Sequence, residues 1–433
     1  MDWHGPALPN CIVRIFTLTN CGVFRGRVRQ MGRKKAKQNV ARVNLRRARL
    51  VRKFREHLSD LGFRRSKGAL TFEGSGKDVI RGLHAEHRGD RIDANEEFIS
   101  EHYDKLKQYF ASGTDISPEE ITPRLERIEA GTWQSNLFRL ASLTWSVPVS
   151  SGFGRRMRYL VWDDHNNKLI GLIAIGDPVF NLSVRDKLIG WNVKDRGKRL
   201  VNIMDAYVLG AIPPYSQLLG GKLVASLVRT REIYDDFAEA YGDTRGIISK
   251  KKKKARLLIV TTTSSLGRSS IYNRLKLGDQ KYFSAIGFTG GWGHFHIPDD
   301  LFGEMRGYLR DIGHPYADLH KYGEGPNWRM RTTRAALTAL GYKEDMLRHG
   351  IQREVYLCEM ASNALKILRT GTGRPNLRAL KTVEDVSKLA LERWVIPRSQ
   401  RMPEYRSWGV ADLKRLLARD RASQTTIRMK RGS

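Results

Sequence analysis

Leu169-Ile-Gly-Leu-Ile-Ala-Ile175 decides the fold when it is read with the runs that follow it. These are Asn202-Ile-Met-Asp-Ala-Tyr-Val-Leu-Gly-Ala-Ile-Pro-Pro-Tyr215, Ser216-Gln-Leu-Leu-Gly-Gly-Lys-Leu-Val-Ala-Ser-Leu227 and Leu257-Leu-Ile-Val-Thr-Thr-Thr263. Short apolar runs rich in β-branched residues alternate with longer helical periods, separated by Gly- and Pro-bearing turns. That order predicts an α/β domain around a mixed central sheet, from about residue 155 to 310. Tyr159–Trp162 and Leu169–Ile175 flank Asp163-Asp-His-Asn-Asn167, whose turn-forming residues predict a hairpin. A strand–turn–helix passage is expected at Gln217–Lys222, with helices over about Leu219–Arg231 and Glu232–Tyr241.

The chain has 433 residues, 40% of them hydrophobic, and a net charge of +32. It is long enough for several domains with a substantial core, and the charge selects polyanionic partners through counterion release. Membrane is the competing anion, but no apolar run approaches the roughly 18 residues a spanning helix needs. Cys11, Cys21 and Cys358 are the only cysteines, without a CxxC pair. This excludes a disulfide scaffold and a cysteine zinc cluster, and it fits the cytoplasm. Met1–Asn20 carries an apolar patch without a basic stretch before it, so it does not read as a signal peptide.

Arg25–Lys67 holds 17 Lys/Arg against Glu56 and Asp60, a balance of +15. Val40, Val43, Leu50, Val51, Phe54, Leu58 and Leu61 recur there at helical spacing, predicting a basic amphipathic helix that ends near Gly62. Arg33, Lys34, Lys35, Arg46, Arg47 and Arg49 are the nucleic-acid candidates on it, against the alternative of a solvated helix face. The tail Arg398–Arg431 has a balance of +7 and is expected to be partly disordered. The expected division is a basic N-terminal arm and helix (1–67), a small helical module (68–150), the α/β core (151–312), a helical C-terminal part (313–396) and a basic tail (397–433). Helices are predicted at Thr332–Leu340, Glu359–Leu368 and Val383–Arg393.

Glycines at a strand-to-helix turn let a phosphate approach backbone N–H groups at the positive end of a helix dipole. Gln217, Gly220, Gly221 and Lys222 are therefore candidates for a phosphate or cofactor cradle, against a tight joint in an α/β core. The turn is not a P-loop, because Ser216 and Leu223 stand where Gly and Ser or Thr are needed. Ser264, Ser265, Ser269 and Ser270 with Arg268 form a second polar turn suited to phosphate. Asp205, on the strand before the cradle, is the best single acid. Asp177, Asp186 and Asp205 form an acidic set for metal-dependent strand transfer or nicking, and His294 and His296 alternate along a strand. Their spacing alone fixes no metal site.

Gln217 and Gly220 resemble the Q/R-x-x-G-x-G/A signature of the GCN5-related acetyltransferase superfamily, with Lys222 where a small residue is expected. Ile271-Tyr272 followed by Gly287-Phe288 resembles that superfamily's final helix and strand. The resemblance implies an acetyltransferase-like core and places Tyr272 as the acid that protonates a departing thiolate; Ser265 stands at the usual Asn. A longer resemblance runs from about Leu45 to Arg406. It is carried by Phe138-Arg-Leu-Ala-Ser-Leu-Thr-Trp-Ser-Val-Pro-Val149, Leu169–Phe180, Ala211–Lys222 and Thr261–Tyr272, which are similar to the DruA family of the Druantia anti-phage defence system. That family implies phage defence beside a large helicase subunit, and it leaves the chemistry and cofactor open.

Three functions are therefore set against one another. The first is a DNA-binding component that loads a helicase, its DNA, single-stranded or forked, lying along the Arg25–Lys67 helix and the basic tail. The second is an acetyltransferase-like enzyme acting on nucleic acid or nucleotide, with Asp205 as base and Tyr272 as acid. The third is metal-dependent nicking or strand transfer.

Overall fold

The computed structural model describes residues 21–66, 69–72, 77–150, 152, 154–245, 252–290, 297–318, 328–342 and 352–419. A seven-stranded mixed sheet organises most of them. Its strands are β1 (Pro123–Arg127), β2 (Arg156–Asp163), β3 (Lys168–Gly176), β4 (Ile203–Ala211), β5 (Ile259–Thr263), β6 (Ser284–Phe288) and β7 (Glu354–Glu359). Their order across the sheet is β6-β7-β5-β4-β3-β2-β1, antiparallel throughout except for the parallel pair β4/β5.

The expected hairpin is β2–β3, closed by a turn in which Asn167 takes φ 56°. β3 is buried from Leu169 to Gly176, as an unbroken apolar run demands when helices cover both faces. On one face lie the helices Gly220–Leu227 (α1), Arg231–Tyr241 (α2) and Val383–Ala390 (α3), with the helical stretch 391–396; Met204, Ala206 and Val260 pack against them. On the other, Glu96–Leu106 and Trp133–Leu143 cover Leu160, Leu172 and Val208. Ser183–Ile189 and Ala364–Thr370 cover Ile203, Ile259 and Leu357 on that same side.

The basic helix forms from Cys21 to Asp60, longer than the sequence pattern alone supports, and the chain turns at Gly62 with φ 82°. Leu50, Phe54, Leu58 and Leu61 dock on the helices Asp299–Asp311 and Trp328–Ala339, making a fourth core with Phe302, Met305, Tyr308 and Leu337.

Four expectations change. β7 lies in the stretch 313–396 that is expected to be a helical part, and the helix expected at Glu359–Leu368 begins only at Ala364. The Ile271–Leu275 helix is a single 3-10 turn, Tyr272–Arg274, leading into the short hairpin Lys276–Lys281. The tail is folded as far as residue 419, because Tyr405, Leu413 and Leu417 bury their side chains. Met1–Asn20, His294, His296 and the tail from 420 lie outside the described residues.

Candidate functional site

β4 and β5 pair only over Ile203–Asp205 and Ile259–Thr261. β4 carries a bulge beside Tyr207, where the partners of Ala174 and Ile175 shift from Val208 to Ala206. β5 meanwhile stays paired to β7 through Thr263 and Val355. The two parallel strands therefore part at their carboxyl ends, the position where open α/β sheets receive ligands. The turn 213–219 and the loop 264–271 leave the sheet there. The two motifs singled out in the sequence thus meet: a Cβ added at Gly221 would stand 3.2 Å from Ile271 Cδ1.

The gap is bridged by the chain itself. Thr262 Oγ1 donates to the Ala206 carbonyl at 2.9 Å, and the Tyr272 hydroxyl donates to the Leu209 carbonyl at 3.2 Å. Tyr272 is buried against Phe283 and Tyr356, and burial pushes its hydroxyl well above the ordinary tyrosine range. The Tyr356 hydroxyl donates to the buried Glu354 carboxylate and accepts from Ser269 N at 3.1 Å. Burial and the Glu354 bond push Tyr356 up to about 12. Arg268, largely exposed, reaches Glu354 at 3.8 Å. Ser269 Oγ accepts from the Ile271 and Tyr272 amides, which fixes the turn carrying Tyr272.

Packing requires the glycine at 220. A Cβ at Gly220 would lie 2.5 Å from the Tyr215 carbonyl oxygen and 3.2 Å from Ala211 Cβ. α1 is buried at every position except Lys222. Lys222 Nζ sits 5.3 Å from the centre of the Trp394 ring. Burial holds its pKa below the ordinary lysine value, and the charges of Arg393 and Arg274 lower it further. Arg398 Nε donates to the Gln217 carbonyl at 3.2 Å. Lys222, Arg274, Arg393 and Arg398 thus gather around the start of α1, and Lys222 meets no acid among the described residues. Beside them Gln217 lines an open cleft of about 410 Å³ with Ser407, Trp408, Asp412, Arg415 and Leu416.

Asp205 lies elsewhere. Met204 and Ala206 face α1, so the side chain between them points to the opposite face. There Thr261 Oγ1 donates to it at 2.7 Å. Burial pushes its carboxyl up to about 6, opposed by the Thr261 bond and the Arg185 charge. Asp205 and Tyr272, expected to act together as base and acid, therefore lie on opposite faces of the sheet, although the Asp205 charge still reaches the Tyr272 hydroxyl and raises it further. Nor do the three aspartates converge: Asp177 pairs with Arg155, and Asp186 bridges Arg185 and Arg196. No group of three metal-ligating side chains assembles among the described residues.

The basic helix divides its candidates. Arg46 is bound to Asp311 at 2.7 Å, and Arg47 donates to the Leu340 carbonyl at 3.2 Å. Arg49 is exposed, as are Arg42 and Arg55, and none of the three meets an acid among the described residues. The side chains of Arg33, Lys34 and Lys35 lie outside what is described. Trp394, Arg393, Arg398, Glu354 and Tyr356 are not singled out by the sequence; the β-forming run Val355-Tyr-Leu-Cys358 is the available signal for the last two.

The DruA family model, described as Druantia protein DruA, matches residues 74–370. The Druantia protein DruA of Escherichia coli strain UMEA 4076-1 is 60% identical over 382 residues, covering 88% of this chain and 95% of that one. The chain belongs to the DruA family. The family match spans the whole sheet, both motifs at the parting of β4 and β5, and the helices 299–311 and 328–339; it begins after the basic helix. No solved structure matches the chain. No described helix is long and apolar enough to cross a membrane.

Proposed function

We propose that this DruA-family chain is the nucleic-acid-binding component of a Druantia anti-phage defence system, engaging DNA beside a helicase subunit. Family membership supports the defence role. The observation that carries the binding role is the mounting of the basic helix. Leu50, Phe54, Leu58 and Leu61 are used in docking while Val40 and Leu45 stay exposed, and Arg42, Arg49 and Arg55 are exposed and without acids among the described residues. A helix held in this way presents charge at fixed positions and neutralises phosphates at little ordering cost.

The test is equilibrium binding of the full chain to duplex and single-stranded DNA across a salt series. Affinity is expected to fall steeply with salt. Replacing Arg42, Arg49 and Arg55 with Ala should reduce the log–log slope by about 0.9 for each duplex phosphate that is no longer neutralised. A flat salt response, or an unchanged slope in that variant, overturns the reading.

A second reading is favoured by the parting of β4 and β5 beside the Gln217–Lys222 turn: an acetyltransferase-like core that takes an anionic cofactor. Calorimetry with acyl-CoA tests it. Stoichiometric binding, abolished in Lys222→Glu, promotes it; no heat at high concentration removes it. Tyr272, which fills the gap between the strands, would have to withdraw for an extended ligand to enter.

A further inference from the structure

The turn Pro315–Ala317 and one side of the helix Trp328–Ala339 enclose a groove of about 540 Å³, away from the sheet. Its walls carry His314, Tyr316, Arg331 and Arg334, and Ala335 and Ala339 line it with small apolar groups. Arg331, Arg334 and Ala335 recur at the i, i+3 and i+4 spacing of one helix face. No acid lines the groove among the described residues. Arg334 is exposed and meets no acid among them.

The groove is built rather than incidental. His314 Nδ1 accepts from the Tyr316 amide at 3.1 Å, and the two rings lie 5.5 Å apart. Thr332 Oγ1 donates to the Tyr316 carbonyl at 3.4 Å, and Arg306 Nε donates to the Ala317 carbonyl at 3.1 Å. The backbone carrying Tyr316 is therefore held from both helices. The basic helix passes close by, because Arg47 donates to the carbonyl of Leu340, next to Ala339.

Aromatic rings beside the exposed Arg334 guanidinium, with small side chains below and no carboxylate among the described lining residues, suit a flat ring joined to an anion. The volume lies within the roughly 300–1,000 Å³ of pockets that enclose small ligands. We propose that this groove takes one unpaired nucleotide of the bound nucleic acid, its base against Tyr316 and His314 and its phosphate on Arg334. The proposal rests on the nucleic-acid reading above. A paired base is stacked within its duplex and cannot enter without being extruded, so the groove favours single strands, forks or flipped bases.

The experiment compares the full chain with Tyr316→Ala and Arg334→Glu on a labelled single-stranded oligonucleotide, a blunt duplex of equal length and a free mononucleotide. Both variants should weaken single-strand binding, Tyr316→Ala by about 5- to 150-fold, the range for removing one stacked base. Duplex binding should change less than two-fold for Tyr316→Ala, and Tyr316→Phe should retain single-strand affinity. Arg334→Glu lies at an exposed position, so a weakening there reports on the groove and not on folding. Unchanged single-strand affinity in both variants, or an equal weakening on duplex, overturns the groove while leaving the basic-helix reading intact. Tight mononucleotide binding that Tyr316→Ala abolishes, with single-strand affinity unchanged, also overturns it and makes the groove a free-nucleotide site. Wild-type chain that binds neither DNA form rejects the function proposed above.

Discussion

Lys222 holds its charge against its surroundings: half-buried, at the start of a helix and beside Arg274 and Arg393. A cation there opposes the helix dipole, and the Trp394 ring offsets only part of that cost. Such a group is useful when an anion arrives. Lys222→Ala is expected to lower nucleic-acid or nucleotide affinity by about 1–3 kcal/mol, the range for removing a hydrogen bond to a charged group, with little change in melting temperature. Lys222→Arg should recover part of the affinity, since a planar fork replaces a compact ammonium. Full affinity in the Ala variant would return the turn to packing alone.

Asp205 supports a different residue-scale prediction. Its carboxyl titrates near 6 in the fold against 3.8 ordinarily, so the folded state favours the protonated form. Below about pH 4 the group is neutral whether folded or not and costs nothing. Between about pH 4 and 6 the unfolded chain releases this proton while the folded chain keeps it, so stability falls across that window and levels off above 6. Asp205→Asn should therefore be more stable than wild type at pH 7–8 by on the order of 1–3 kcal/mol. Denaturant midpoints measured across pH check this; a stability difference that does not change with pH would show that the carboxyl is not strained.

At the scale of elements, the helix α1 depends on backbone closeness. Gly220→Ala would force a Cβ to 2.5 Å from a backbone oxygen that cannot swing away, and it should cost about 1–3 kcal/mol or more. Gly303→Ala, on the exposed side of the helix Asp299–Asp311, meets nothing within 4 Å and should be neutral or stabilising by up to about 1 kcal/mol. Melting temperatures of the two variants should move in opposite directions; equal shifts would show that α1 tolerates displacement.

The elements also show why some of the fold is legible in the sequence. Leu169–Ile175 and Leu257–Thr263 are apolar on both faces and bounded by turns, so they read as buried strands without knowledge of their partners. β7 does not, because Val355–Cys358 gains its strand character from β5 and β6, which lie about 65 to 100 residues earlier in the chain. β1 shows a lone apolar Leu125 among Pro, Arg and Glu, as an edge strand can tolerate. The Gln217–Lys222 turn and the Ser264–Tyr272 loop are visible as motifs, and strand order brings them together. That Asp205 faces away from Tyr272 follows from pleat and tertiary placement, which sequence spacing does not encode.

At the scale of the molecule, the basic helix belongs to a unit made from distant parts of the chain. Residues 43–63 meet the helices 299–311 and 328–339, which are themselves inserted between β6 and β7. Lys53 pairs with Glu304 and Arg46 with Asp311, so the ionic contacts cross the same boundary as the apolar ones. Deleting residues 1–63 consequently does more than remove charge, because it uncovers Phe302, Met305, Tyr308, Leu309 and Leu337. The deleted chain is expected to bind a hydrophobic dye, lose its lowest thermal transition and aggregate, whereas the Arg42, Arg49 and Arg55 triple-alanine chain keeps the wild-type transition. Phe54→Ala, at a fully buried position, should cost about 3–5 kcal/mol in that unit while leaving the helix charge intact. If DNA affinity requires a mounted helix and not charge alone, Phe54→Ala weakens binding near the unit's melting point and leaves it unchanged well below. Calorimetry paired with binding at two temperatures distinguishes this; equal affinity above and below the transition would mean that an unmounted basic segment suffices.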